Sequence, residues 1–236
     1  MMKVYLVNLD RDVEKLAFMT RQLAALGIAY ERVPAVYGKA MAASELKKMY
    51  RPFRWWCAVG RPIVPAEVGC AYSHFGIYAR LKAREAVCIL EDDVVLDAAF
   101  VERLREVERF VDVEKPQVVM LSSHNQPRDG AGIIRSRDAL CTDAYVITQP
   151  AAEAILQANR PLIVPCDHWR RWVECGLLEL YHALPTVARQ DQVTFVGTTS
   201  EGRRDERRLS VKFFWRKLGR LVGKPLDRLL MKVSGK

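Results

Sequence analysis

Eleven residues in mid-chain, Ala86-Val87-Cys88-Ile89-Leu90-Glu91-Asp92-Asp93-Val94-Val95-Leu96, set three adjacent carboxylates between two apolar runs. A short apolar run of this kind reads as a buried strand, so the acids fall at its carboxyl end. On extended backbone Glu91 and Asp93 point to the same side, about 7 Å apart along the strand. Like charges so placed repel, and burial sharpens the repulsion. Two readings stand side by side. In one, the acids form a solvated loop with a helix-capping aspartate. In the other, a cation relieves the repulsion. Hard oxygen ligands suit Mg²⁺ or Mn²⁺, held by one or two carboxylates together with the phosphates of a substrate. Ligands of open α/β sheets collect at the carboxyl ends of strands, which is where this triplet falls.

The flanking sequence predicts the sheet such a site needs. Lys3 to Leu9 reads as a first strand. A helix follows, capped by Asp10 and running through Leu26, with Val13, Leu16, Leu23 and Leu26 near helical spacing and Gly27 as its stop. Ile28 to Val33 reads as a second strand closing at Pro34, which makes a β-α-β start and a parallel pair. Ser44 to Tyr50 reads as a short helix and the aromatic, basic Pro52–Trp56 as a loop. Further helices are expected over Pro65 to Ala83, Ala98 to Phe110 and Pro150 to Ala158. Strands are expected over Gln117 to Leu121, at Ile133-Ile134 and over Ala144 to Thr148, with a loop over 122–132. Strands alternating with helices predict an α/β layered fold.

Charge divides the chain of 236 residues unevenly. From Arg203 to Lys236 there are twelve Lys/Arg and three Asp/Glu, so this segment carries the whole net charge of +9. Residues 1–202 read as one neutral domain and 203–236 as a basic appendage. In the appendage Leu209, Phe213, Trp215, Leu218, Leu221 and Val222 interleave with Lys212, Arg216, Lys217 and Arg220, the pattern of an interfacial helix. An anionic membrane surface is the expected partner. Nucleic acid is not expected, because no recognition motif accompanies the charge. No stretch approaches the roughly 20 apolar residues of a membrane span, and no signal peptide is read at the start. The six cysteines form no C-x-x-C pair and read as buried free thiols of a reducing cytosol. No Walker loop, serine-hydrolase elbow or G-x-G-x-x-G after a strand is present.

Several segments together resemble glycosyltransferase family 25. They are Val7-Asn8-Leu9-Asp10-Arg11, Val33-Pro34-Ala35-Val36-Tyr37-Gly38, Ala66-Glu67-Val68-Gly69-Cys70-Ala71-Tyr72-Ser73-His74, Ile89-Leu90-Glu91-Asp92-Asp93, Thr142 to Thr148 and Pro165-Cys166-Asp167-His168-Trp169. Their combination in this order is more specific than any one of them. Tyr37 departs from the pattern, standing where the family often has an acid. The resemblance implies a GT-A-type, Rossmann-like nucleotide-sugar-binding fold. It implies a divalent cation, Mn²⁺ or Mg²⁺, and a nucleotide-sugar donor, usually UDP-galactose. It further implies inverting transfer of a hexose to a glycan or glycolipid acceptor such as lipopolysaccharide or lipooligosaccharide. With the basic appendage, the expected location is cytoplasmic and peripheral on the inner face of the cytoplasmic membrane. The competing class is a non-catalytic membrane or nucleic-acid binding module on the same fold.

Carried onto this chain, the resemblance makes Glu91-Asp92-Asp93 the donor-binding acidic motif. Asp93 is the direct metal ligand; Glu91 acts through the water shell of the metal or on the ribose; Asp92 completes the motif. An inverting transfer needs a base on the acceptor hydroxyl. Asp167, in the apolar setting Val164 to Trp169, is the candidate base, or alternatively the N-cap of a helix over Trp169 to Glu174. Asp143 is a second candidate base or a donor-sugar ligand. Ser73 and His74 read as donor-site residues through the family motif, although a structural role suits His74 taken alone. Asn8 and Arg11 end the first strand, where a nucleotide would lie. His168 is placed to orient Asp167 or bind a phosphate, His182 is a weaker candidate for a third metal ligand, and His124 is a loop residue. Cys70 reads as helix packing.

Overall fold

The computed structural model describes residues 1–122 and 130–191. His124 and the basic segment 203–236 lie outside the described residues. In chain order the strands and α-helices are β1 (Lys3–Asn8), α1 (Val13–Ala25), β2 (Glu31–Pro34), α2 (Ala43–Met49), α3 (Pro52–Val59), α4 (Pro65–Tyr78), β3 (Ala86–Glu91), β4 (Val94–Leu96), α5 (Phe100–Phe110), β5 (Gln117–Met120), β6 (Gly132–Ser136), β7 (Ala144–Thr148), α6 (Gln149–Asn159), α7 (Trp169–Glu174), β8 (Glu179–Leu184) and β9 (Ala188–Gln190). Two compact units emerge. The first is built from Met1–Val36, the described part of Tyr72–Ala158, and residues 166–191; the second from Tyr37–Ala71 and Asn159–Pro165.

A mixed sheet organises the first unit. Among the described residues its strand order is β2-β1-β3-β7-β5-β8-β6. β1 pairs in parallel with β2 on one side and β3 on the other, as the β-α-β start predicts. β7 then runs antiparallel between β3 and β5. β5 and β8 are parallel, and β6 closes the order antiparallel to β8. A separate antiparallel ribbon joins β4 to β9. Every residue of β7 is buried, as are Val87 to Leu90 of β3. Uninterrupted apolar runs are what strands covered on both faces require. Met19 and Leu23 of α1 and Phe100, Leu104 and Val107 of α5 join Leu6, Leu90, Val119 and Val146 of the sheet in one core. The i, i+4, i+7 spacing on α5 is that of a helix with a single apolar stripe.

Several expectations are corrected. Asp10 does not cap α1; that helix opens behind Asp12, and the Asp10 carboxylate instead accepts Arg32 Nη2 at 2.6 Å. Val13, in the first turn, is exposed. The Pro52–Trp56 loop is helix α3: Pro52 occupies its first turn, where the missing N–H costs nothing, and Gly60 ends it in the left-handed conformation, φ 72°. α7 forms over the expected residues, but His168, not Asp167, stands at its N-cap. β8 and β9 are not foreseen. The cysteines are unbridged, yet only Cys57, Cys88 and Cys166 are buried; Cys70 and Cys141 are half-buried and Cys175 is exposed.

In the second unit the Leu162 backbone bonds Met49 and Arg51 on either side of Tyr50, pinning the segment between α2 and α3. Gly38 meets the start of α4 so closely that a Cβ there would lie 1.8 Å from the Pro65 carbonyl oxygen. That contact accounts for a glycine at the end of the Val33-to-Gly38 motif.

Candidate active site

The carboxyl ends of β1 and β3 lie side by side because the strands are parallel, and this brings Asn8 beside the acidic triplet. Asn8 is buried and reads three partners at once. Its Nδ2 donates to Asp92 Oδ2 at 2.8 Å and to the Asp12 carbonyl at 3.0 Å, and its Oδ1 accepts Arg32 Nε at 3.0 Å. Arg11 is half-exposed, with its guanidinium 3.4 Å from Asp12. The cation at the triplet is Lys15, which the sequence reading missed. Its Nζ donates to Asp92 Oδ1 at 3.3 Å and to Asp93 Oδ2 at 3.5 Å. Burial works to lower the Lys15 pKa, but the facing Asp93 and Asp92 charges outweigh it and the pKa rises.

The antiparallel pairing of β3 with β7 supplies the second wall. It leads the chain into β7 directly across from Glu91, whose N–H donates to the Asp143 carbonyl at 2.8 Å. Thr142 Oγ1 donates to Glu91 Oε1 at 2.5 Å. Cys141, just before, holds a left-handed φ of 66°, and its carbonyl accepts the Trp169 indole N–H at 2.7 Å. His74 Nε2 lies 3.2 Å from the same Glu91 oxygen, and His74 Nδ1 lies 2.7 Å from the Tyr145 hydroxyl. Tyr145 in turn meets the Tyr78 hydroxyl at 2.6 Å. Burial alone would raise the Glu91 pKa; the bonds from His74 and Thr142 reverse it, and the group stays below its ordinary range.

Asp93 and Asp143 are held differently. Burial, with the neighbouring Glu91 charge second, pushes Asp93 up to about 6. Its Oδ2 accepts Gln190 Nε2 at 3.3 Å, from β9, while its Oδ1 is buried with no hydrogen-bond partner. Asp143 is fully buried; its Oδ1 accepts Ser122 Oγ at 2.8 Å, and burial pushes its pKa up to about 7. In both groups desolvation is the first cause of the rise.

The structure thus gathers Asn8, His74, Glu91, Asp92, Asp93 and Asp143, and adds Lys15, Thr142, Tyr145 and Gln190. Ser73 is buried on α4, where its Oγ accepts the Val36 N–H at 2.8 Å. Asp167 is half-buried in the turn before α7 and His168 is exposed. Asp167 follows Cys166, whose Sγ lies 4.0 Å from the Thr142 hydroxyl. His182 is buried on β8 between Met120 and Ile134. Of the predicted metal pair, Glu91 stands beside the His74 imidazole at 3.2 Å, and Asp93 presents the unfilled Oδ1. These carboxylate and imidazole donors of the first unit fit a divalent cation.

Comparison with known proteins follows the same residues. The family model described as "Glycosyltransferase family 25 (LPS biosynthesis protein)" matches residues 1–169. Procollagen galactosyltransferase 1-B of Xenopus laevis is 31% identical over 189 residues, covering 71% of this chain and 30% of that protein. A glycosyltransferase 25 family member of Anopheles gambiae is 31% identical over 183 residues, 70% of this chain and 30% of that protein. A solved galactosyltransferase in complex with donor and acceptor sugar analogues aligns over 92% of this chain and 95% of its own, with TM-score 0.43 and 10% identity, too distant a likeness to inform the site. The chain spans about 30% of the length of these curated relatives. With the family match running through the acidic triplet and as far as Trp169, the chain belongs to glycosyltransferase family 25.

Proposed function

We propose that this chain is a GT-A-type glycosyltransferase that moves a hexose, galactose from UDP-galactose, onto a lipopolysaccharide or lipooligosaccharide glycan with inversion at the anomeric carbon. The observation that carries the reading is the convergence of Glu91, Asp92, Asp93 and Asp143 at the carboxyl ends of β1 and β3, with Asp93 Oδ1 buried and unpartnered. Membership of a family of LPS biosynthesis glycosyltransferases supports sugar transfer and this acceptor class. Relatives named for procollagen keep a protein-linked acceptor as the alternative.

In this reading Asn8, Arg11, Ser73, His74, Asp92 and Asp143 bind the donor. Glu91 and Asp93 would hold Mn²⁺ or Mg²⁺, with the His74 imidazole 3.2 Å from Glu91. A cation held by these residues would supply positive charge to the departing diphosphate. The acceptor hydroxyl oxygen attacks the anomeric carbon from the face opposite the leaving group. The bond from that carbon to the diphosphate oxygen breaks, and UDP leaves with the electron pair. Asp167 takes the hydroxyl proton. Asp143, held near neutrality by burial, is the second candidate for that proton. Residues 203–236 bind the anionic inner face of the cytoplasmic membrane and bring the enzyme to a lipid-linked acceptor. Among the described residues no helix is long and apolar enough to cross a membrane.

A thermal-shift panel of nucleotide sugars, with and without Mn²⁺, tests the donor assignment. UDP-galactose should stabilise the protein most, and only with the ion present. Equal responses to every nucleotide sugar, or none, would contradict it and favour a non-catalytic binding module. Deletion of 203–236 should abolish sedimentation with phosphatidylserine-containing vesicles; unchanged sedimentation rules out the membrane role.

A further inference from the structure

Lys15 reaches the carboxylates from the first turn of α1, the positive end of that helix's dipole. The residue is only 9% exposed. Its contacts of 3.3 Å to Asp92 Oδ1 and 3.5 Å to Asp93 Oδ2 lie at or beyond the long end of N–H···O geometry. The ammonium therefore serves as a charge between two anions more than as a directed donor. Asp92 has a second anchor in Asn8, at 2.8 Å. Asp93 is held more loosely, by Gln190 at 3.3 Å, and its Oδ1 remains buried without a partner. One ammonium against two carboxylates leaves a net negative charge beside an unfilled acceptor. A lysine suits this place, being a compact charge on a flexible stem; the planar fork of an arginine would lock both carboxylates.

We propose that Lys15 is a tethered counter-cation of the site: it holds Asp92 and Asp93 together when no divalent cation is bound, and gives up Asp93 when one arrives. The ammonium and the ion are then competing neutralisers of one carboxylate. The inference rests on the reading of Asp93 as metal-facing, and deepens it by naming what the ion displaces. It gives the chain a metal-free state that does not fly apart through repulsion, and a metal affinity set by the competition.

The test is a calorimetric titration of Mn²⁺ into the full chain and into Lys15→Met and Lys15→Arg, with melting temperatures taken before and after. Removing one charge next to the ion should tighten Mn²⁺ binding to Lys15→Met by about tenfold or more. That variant should also melt lower than wild type without metal and recover on adding it. Lys15→Arg should bind Mn²⁺ more weakly than wild type, and it alone decides the matter if Lys15→Met does not fold. Equal or weaker binding by Lys15→Met, or equal or tighter binding by Lys15→Arg, overturns the proposal while leaving Asp93 as a ligand. Absence of Mn²⁺ binding in all three overturns the reading of Asp93 and the proposal with it.

Discussion

His74 Nε2 and Glu91 Oε1 meet at 3.2 Å, and that contact joins the acidic strand end to a buried pair of tyrosine hydroxyls. Glu91 is kept ionised and can only accept, so Nε2 carries the proton. Nδ1 faces the Tyr145 hydroxyl at 2.7 Å, and that hydroxyl meets the Tyr78 hydroxyl at 2.6 Å. Tyr145→Phe removes the hydrogen-bond partner of Nδ1. The expected result is a shift in the His74 ¹⁵N resonances, a several-fold loss of donor affinity, and a stability cost of about 1–3 kcal/mol for the stranded buried nitrogen. An unchanged imidazole spectrum would show that Tyr145 does not hold the ring.

Asp143 predicts a pH dependence with a definite sign. Its folded pKa, about 7, lies above the value of 3.8 for an unperturbed aspartate, because burial disfavours the charge. Between those values the native state holds a proton that the unfolded chain has released. Stability therefore falls as pH rises through this window and levels off above it. Asp93, raised to about 6, acts in the same direction but lower on the scale. Chemical denaturation of metal-free Asp143→Asn at pH 6 and pH 8 should show the slope reduced by on the order of 1 kcal/mol relative to wild type. The Ser122 hydroxyl keeps its acceptor in the amide. An identical slope in both proteins would mean that Asp143 is already ionised at pH 6.

Gly38→Ala tests a purely steric point. The new Cβ would fall 1.8 Å from the Pro65 carbonyl oxygen and 2.7 Å from its carbon, so backbone has to move. A loss of about 3 kcal/mol or more is expected, above the usual range for overpacking, because no flexible side chain can yield. A melting temperature within a degree of wild type would refute the close approach.

What the sequence made legible was local. The β-α-β start, the buried strand at Ala86–Glu91 and the amphipathic α5 each carry their signal within a dozen residues. The acidic triplet falls at a strand end because an apolar run stops there. Lys15 had no such signal: it is one lysine on a helix, and the carboxylates it meets are 77 and 78 residues away. Thr142 and Gln190 reach Glu91 and Asp93 through antiparallel pairings of β3 with β7 and β4 with β9, and strand partners are not written in local periodicity. β9, an Ala-Arg-Gln tripeptide, is too short to show alternation. In α3 the aromatic and basic composition obscured the stronger cap signals of Pro52 and Gly60.

Everything proposed for the chemistry turns on whether the β3 carboxylates receive a metal-linked diphosphate. Titration of UDP into wild type and Asp93→Asn at saturating Mn²⁺ measures this directly. Wild type should bind UDP in an ion-dependent manner, and Asp93→Asn, which keeps the shape but loses the charge, should bind at least about tenfold more weakly. Equal UDP affinity in the two proteins, or affinity indifferent to Mn²⁺, would contradict the account.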